Sequence, residues 1–217
     1  MNKDKLAAEV LTRLKVRYPE VKTALNWQDP WELLVATVLS AQCTDVQVNK
    51  ITPVFFRRWP GPHDLKKARL QDVEEVIRSA GFYRNKAKNL LSTAKIIVDT
   101  HKGRVPGSME ELVTLPGVAR KTANIVLSNA LGINQGIAVD THVKRIAFRL
   151  GLTGSTNPDI VERDLMPLFP VKEWGGINHM LVFFGREVCG ARKPGCSGCE
   201  LADICSKRGI LEKAGSR

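Results

Sequence analysis

Apolar residues recur at three- and four-residue intervals along most of the chain. Leu6, Val10, Leu11 and Leu14 form one stripe, Leu90, Leu91, Ala94 and Ile97 a second, and Ala123, Val126, Leu127, Ala130 and Leu131 a third. A fourth, Val143, Ile146, Ala147 and Leu150, follows directly after Asp140. That period is helical, and no segment shows sustained apolar–polar alternation between hairpin turn pairs, so the pattern predicts an all-α chain. Its breaks fall at Gly81, Gly103 with Pro106-Gly107, Gly132, Gly151 to Pro158, and Gly175-Gly176. After Gly185 the stripes give way to Cys, Gly, Lys and Arg, which predicts a compact ligand loop in place of a core helix.

Composition narrows the class. With 217 residues and 43% hydrophobic content the chain can bury a substantial core without staples. The 33 Lys and Arg against 22 Asp and Glu leave a formal charge of +11, which favours a polyanionic partner over an acidic small molecule. A merely solvated basic surface is the alternative. Residues 84–145 hold ten Lys/Arg and four Asp/Glu, so the excess gathers in the middle of the chain. No apolar run spans a bilayer and no secretory h-region follows the N-terminus, so the expectation is a soluble cytoplasmic protein without membrane contact; it is further expected to be nucleoid-associated and a monomer.

Two motifs carry candidate chemistry. Leu115-Pro116-Gly117-Val118-Ala119-Arg120-Lys121 reads as a tight turn opening into a helix, an arrangement that aims backbone N–H groups at a phosphate and places a lysine beside it. That lysine is either a charge clamp or a nucleophile. Cys189, Cys196, Cys199 and Cys205 follow the spacing C-x6-C-x2-C-x5-C, so four thiolates can converge on one centre. Zinc and an iron–sulfur cluster both suit such ligands, and the short uneven intervals favour a cluster larger than one ion. Cys43 follows the apolar run Leu33 to Leu39 and is expected on that helix as a small core residue. Arg192 and Lys193, inside the cysteine loop, are either contacts to a DNA backbone or a solvated pair.

Together these segments resemble the endonuclease III family. The Leu115–Lys121 turn is similar to the helix-hairpin-helix of base-excision DNA glycosylases, Val139-Asp140-Thr141-His142-Val143 to their aspartate motif, and the tail to the family's cysteine spacing. Leu39-Ser40-Ala41-Gln42-Cys43-Thr44-Asp45 and Gly81-Phe82-Tyr83 add matches, over about residues 25 to 205. The resemblance implies the helix-hairpin-helix glycosylase fold, with two helical domains flanking a DNA-binding cleft. One is a six-helix barrel over 23–134 carrying the hairpin, and the other joins 1–22 to 135–217 around a [4Fe-4S] cluster held by the four cysteines. Lys121 and Asp140 would face that cleft from opposite walls. The implied partner is double-stranded DNA containing damaged bases or abasic sites, and the implied activity is excision of oxidised pyrimidines such as thymine glycol, with strand cleavage.

The implied chemistry follows from the residue types. An amine that displaces a base from C1′ leaves an iminium, which acidifies the C2′ proton and permits β-elimination, whereas attack by water stops at an abasic site. Lys121 must be neutral to attack. Desolvation in a cleft and the neighbouring charges of Arg120, Lys144 or Arg145 are expected to favour the neutral amine. Asp140 would stabilise positive charge developing on the sugar, yet it also suits a helix N-cap. His142 is read as structural.

Extruding a base leaves a gap, which by resemblance Gln42 would fill, while Phe82 would wedge against the orphaned base. The family usually has leucine at the second position, and on sequence alone a phenylalanine is more often core. Gly117 and Ala119 would hold phosphate through their amides, with Arg120, Lys144, Arg192 and Lys193 as further DNA contacts. Many relatives have a second glycine where this chain has Ala119. Either the backbone differs there, or a positive φ costs on the order of 1 kcal/mol. The alternatives are a pyrimidine-dimer glycosylase of the same family and a non-catalytic DNA-binding protein with a redox-sensing cluster. An adenine-mismatch glycosylase would have serine in place of Lys121.

Overall fold

The computed structural model of the chain describes residues 1–210; the last positions assigned from sequence to the cluster domain, 211–217, lie outside the described residues. It is helical throughout, with no strand among the described residues. The chain divides into two compact units, Thr23–Gln135 and a second made of Met1–Lys22 with Gly136–Arg217.

The first unit contains α2 (Pro30–Leu39), α3 (Asp45–Arg58), the one-turn α4 (Pro62–Leu65), α5 (Leu70–Val76), α6 (Tyr83–His101), the one-turn α7 (Met109–Leu112) and α8 (Arg120–Ala130). Helix α2 lies at its centre. Every residue from Leu33 to Leu39 is buried, as an apolar run without a polar face requires. Its start is set by Pro30 in the first turn and by Asp29, whose Oδ1 accepts the Glu32 N–H at 2.8 Å. On α6, Leu90, Ala94 and Ile97 of the predicted stripe are buried, and Leu91 packs at the core's edge. Ala123, Val126 and Leu127 of α8 are buried with them.

The second unit is built on α1 (Lys3–Arg17), α9 (Thr141–Leu150), α10 (Pro158–Leu165) and α11 (Trp174–Glu187). The predicted stripes of α1 and α9 meet in one core with Leu165, Leu181, Phe184 and Leu201. Helix α1 is also fastened to the cysteine loop. Arg13 Nη1 donates to Glu200 O at 2.7 Å and its two Nη atoms pair with the Asp203 carboxylate, while Arg17 reaches Glu187 and Glu200. These contacts tie the N-terminal helix to a segment about 190 positions away.

Three expectations change. Gly175-Gly176 is not a break but the first turn of α11, where glycine disturbs little because that turn's N–H groups have no intrahelical acceptor. Gly185 does not end the helix either, since α11 runs on to Glu187. It is a contact point: a Cβ there would lie 2.7 Å from His142 Nδ1 and 2.9 Å from Arg145 Nη2, so only glycine lets α11 approach α9 this closely. Cys43 lies past the end of α2, in the turn before α3, because the helix stops at Leu39 and the Cys43 N–H bonds to Ser40 O. It is half-buried and packs against the core from that turn.

Candidate nucleic-acid and catalytic site

The hairpin turn is set by one glycine. Gly117 has φ +80°, and a Cβ on it would come within 2.8 Å of Asn89 Nδ2. The preceding carbonyl, of Pro116, accepts a 3.0 Å hydrogen bond from the buried Thr93 hydroxyl. Asn89 and Thr93 both belong to α6, which braces the turn from below. Ala119 has φ −83° and ψ 165°, ordinary extended backbone for an N-cap residue. The strain considered for alanine is therefore absent, because the left-handed position is Gly117. Among the described residues the Gly117 and Ala119 N–H groups make no hydrogen bond within the protein. With the first turn of α8 they form an electropositive backbone concavity of the kind that holds a phosphate oxygen. Arg120 and Lys121 occupy that first turn and are exposed.

These angles make a paired prediction. G117A is expected to destabilise the first unit by about 1–2 kcal/mol and to weaken DNA binding, whereas A119G should change stability by less than about 1 kcal/mol. Denaturant melts and filter binding on the two variants check it; a gain of stability in A119G as large as the loss in G117A would mean that Ala119, too, needs a glycine-like backbone.

Gln42 and Phe82 lie on two loops of the same unit. Both have left-handed backbones, φ 53° and 47°, which is uncommon for residues with side chains and raises local energy. Both are exposed, Phe82 at 66%, so Phe82 is not a core residue. The loops adjoin: a Cβ built on Gly81 would be 3.8 Å from Gln42 O. Asn89 lies seven residues after Phe82 on α6, about 10 Å along the axis. One helix thus sets the spacing between the exposed aromatic and the hairpin turn.

In the other unit, half-buried Asp140 is the N-cap of α9. Its Oδ1 accepts both the His142 and Val143 N–H groups, at 2.8 and 2.9 Å. Oδ2 makes no hydrogen bond among the described residues. The cap role is therefore real, and it leaves one carboxylate oxygen uncommitted. His142 is structural in its bonding: its Nδ1 is 3.2 Å from Arg145 Nη2 and must accept, and burial pushes its pKa below the ordinary value. Arg145, considered above as a charge acting on Lys121, spends its guanidinium on Gly185 O and Cys189 O at 2.9 and 3.0 Å. Lys144 is half-buried on the same helix, and Arg192 and Lys193 are exposed in the cysteine loop.

All four loop cysteines line one pocket, closed by Ile146, Leu150, Phe184 and Leu201, and none is in a disulfide. Among the described residues no group of His, Cys, Asp or Glu closes around a single ion. Burial pushes the Cys199 and Cys205 thiols above their ordinary range, and the neighbouring cysteines add to the shift. Thiolates crowded this way need a cationic centre to compensate them. The protein supplies part of that compensation: Leu201 N–H points at Cys199 Sγ and Lys207 N–H at Cys205 Sγ, both at 3.4 Å, and Arg149 Nη1 lies 3.2 Å from Cys189 Sγ. Arg149 also bonds Gly190 O and Ala191 O at 2.8 and 2.9 Å. It was missed from sequence, although a buried arginine three residues beyond Ile146 on an apolar stripe is itself a signal.

The family model described as HhH-GPD superfamily base excision DNA repair protein matches residues 35–171. Endonuclease III of Synechocystis sp. is 52% identical over 94% of this chain and 93% of its own length, and that of Escherichia coli K12 is 40% identical over 94% and 96%. The trapped endonuclease III–DNA covalent intermediate, an estranged-adenine complex, superposes with a TM-score of 0.90 at 40% identity, covering 99% of both chains. The chain belongs to the endonuclease III family. It is a DNA glycosylase with lyase activity, acting on DNA in base excision repair. No helix among the described residues is long and apolar enough to cross a membrane.

Proposed function

We propose that this enzyme excises oxidised pyrimidines from duplex DNA, with Lys121 as nucleophile and Asp140 as its electrostatic partner. The observation that carries the reading is the turn itself. Gly117 and Ala119 present unbonded N–H groups where a phosphate oxygen would anchor the strand, and Lys121 follows on the first turn of α8. The Lys121 amine would attack C1′ and the base would leave with the glycosidic electron pair and a proton; the C1′–O4′ bond would then open, with O4′ taking a proton from water, and the iminium so formed would acidify C2′ for β-elimination of the 3′ phosphate. Asp140 Oδ2, uncommitted in the cap, would face developing positive charge on the sugar. That an endonuclease III has been trapped covalently on DNA supports an amine nucleophile in this family.

Gln42 and Phe82 are assigned to the duplex as the residues that occupy the space an extruded base leaves, supported by their exposure and adjacency. Arg120, Lys144, Arg192 and Lys193 are assigned to the phosphate backbone. Exposed Phe82 presents a flat face that can stack on the orphaned base.

Cys189, Cys196, Cys199 and Cys205 are assigned to a [4Fe-4S] cluster, which would supply a cross-link through the loop. The all-thiol donor set, the shared apolar pocket and the N–H groups aimed at sulfur fit that group. Anaerobically purified protein is expected to contain about four iron and four sulfide per chain, and C199S to lose both together with the thermal stability of the second unit. Stoichiometric zinc without sulfide would refute the assignment.

The whole reading is tested by borohydride reduction in the presence of duplexes carrying single defined lesions. Covalent capture on thymine glycol and abasic duplexes is expected, since hydride converts the iminium to a stable secondary amine. Tight binding without capture, where a known lyase is captured, would favour a non-catalytic DNA-binding protein. Capture confined to pyrimidine dimers would reassign the lesion.

A further inference from the structure

Lys86 is buried on the apolar face of α6, 5% exposed, in helical register with Ala87, Leu90, Thr93 and Ala94. No carboxylate among the described residues pairs with it. Its Nζ donates instead to two backbone carbonyls, Leu39 O at 2.8 Å and Ala80 O at 2.7 Å. Burying an ammonium group carries a desolvation penalty, and a leucine or methionine would fill the same space without it. Burial correspondingly pushes the Lys86 pKa down.

The two acceptors explain the lysine's placement. Leu39 is the last residue of α2, and Ala80 the last of the 3-10 turn Arg78–Ala80. Carbonyls at helix C-termini lack intrahelical donors and lie at the negative end of the helix dipole, so one cation satisfies both. Directly beyond these ends the chain enters the loops that carry Gln42 and Phe82. Gln42 follows Leu39 by three residues, and Gly81 and Phe82 follow Ala80, all three with positive φ. A second, exposed link, from Gln47 Nε2 on the first turn of α3 to Ser79 Oγ at 2.8 Å, ties the far side of the Gln42 loop to the same 3-10 turn.

We propose that Lys86 is a positioning residue for base extrusion: by clamping the carbonyls of Leu39 and Ala80 it fixes the spacing of Gln42 and Phe82, so that the two enter the duplex as one rigid wedge. It acts through those side chains and touches neither substrate nor reacting atoms. The proposal rests on the assignment of Gln42 and Phe82 to the duplex. Its signature is selectivity among substrates. A clamp on the wedge matters most where a stacked, paired base must be removed, and least where no base occupies the site.

The test uses the full-length enzyme under single-turnover conditions, with thymine glycol duplexes compared with duplexes carrying a preformed abasic site. K86M is expected to slow excision roughly 10- to 100-fold, the range that an ångström-scale misplacement produces. Strand cleavage at the abasic site should change by less than about threefold. K86R, which keeps the cation and its donors, should recover most of the excision rate. In a Q42A/F82A background K86M should add less than about threefold, because clamp and wedge act in series.

A Q42A/F82A enzyme as fast as wild type on thymine glycol would overturn the assignment of the two loops. An impaired Q42A/F82A enzyme beside a K86M enzyme at wild-type speed would overturn the role of Lys86 alone. So would equal losses by K86M on both substrates, or losses that simply add to those of Q42A/F82A, since a purely structural lysine behaves that way. If circular dichroism shows K86M unfolded, K86Q, whose amide keeps a donor for one carbonyl, is put through the same comparisons with the same criteria.

Discussion

Replacing Lys121 by alanine is expected to abolish borohydride capture and to lower strand cleavage at abasic sites by on the order of 10³-fold or more, while DNA affinity falls only a few-fold. The separation follows from the hairpin's construction. Phosphate is offered the N–H groups of Gly117 and Ala119 and the start of α8, and these backbone elements survive removal of a side chain that is exposed. Gly117 keeps its geometry because Asn89 and Thr93 of α6 pack against the turn and bond it, and among the described residues neither hydrogen-bonds to Lys121. Affinity and chemistry thus come from different atoms of the same turn. Gel-shift titration and trapping on the same preparation would show it. A K121A enzyme that still forms the reduced adduct would move the nucleophile elsewhere, and one that loses affinity in step with activity would return Lys121 to the role of a phosphate clamp.

D140N makes the second large and separable prediction. Asparagine caps helices about as well as aspartate, and its Oδ1 can accept from His142 and Val143 as the carboxylate does. Stability should therefore fall by no more than about 1 kcal/mol, chiefly the lost charge–dipole attraction at the start of α9. The rate of base excision should fall roughly 10²–10³-fold, because a neutral amide no longer stabilises positive charge on the sugar. D140A removes the cap as well and should melt earlier than D140N at a similar rate. Thermal melts beside single-turnover excision distinguish the two functions; a D140N enzyme of wild-type speed would leave Asp140 a helix cap and nothing more.

Much of this was legible along the chain. The helices could be read because helical periodicity is a local property: Leu90, Ala94 and Ile97 share a face of α6 whatever packs on it. The cysteine spacing and the Leu115–Lys121 turn were readable for the same reason, since each is a short segment whose chemistry is carried by neighbours in sequence. Gly175-Gly176 misled because composition does not distinguish a break from a first turn. Gly185 misled because its reason is a neighbour on another helix, His142, more than forty positions away.

The sequence by itself determined an all-helical chain, a basic surface, a lysine after a glycine turn, an aspartate before an amphipathic helix and four cysteines able to share one centre. Only the tertiary structure decided that Gly117 and not Ala119 takes the left-handed position, that Phe82 is exposed beside Gln42, that Arg145 and Arg149 are spent on the cysteine loop, and that Lys86 bridges two helix ends. The physical reason is the same in each case. Backbone angle at a turn, exposure of an aromatic and the partner of a buried cation depend on which distant carbonyls and side chains come within hydrogen-bond or van der Waals range, and periodicity contains no information about those distances.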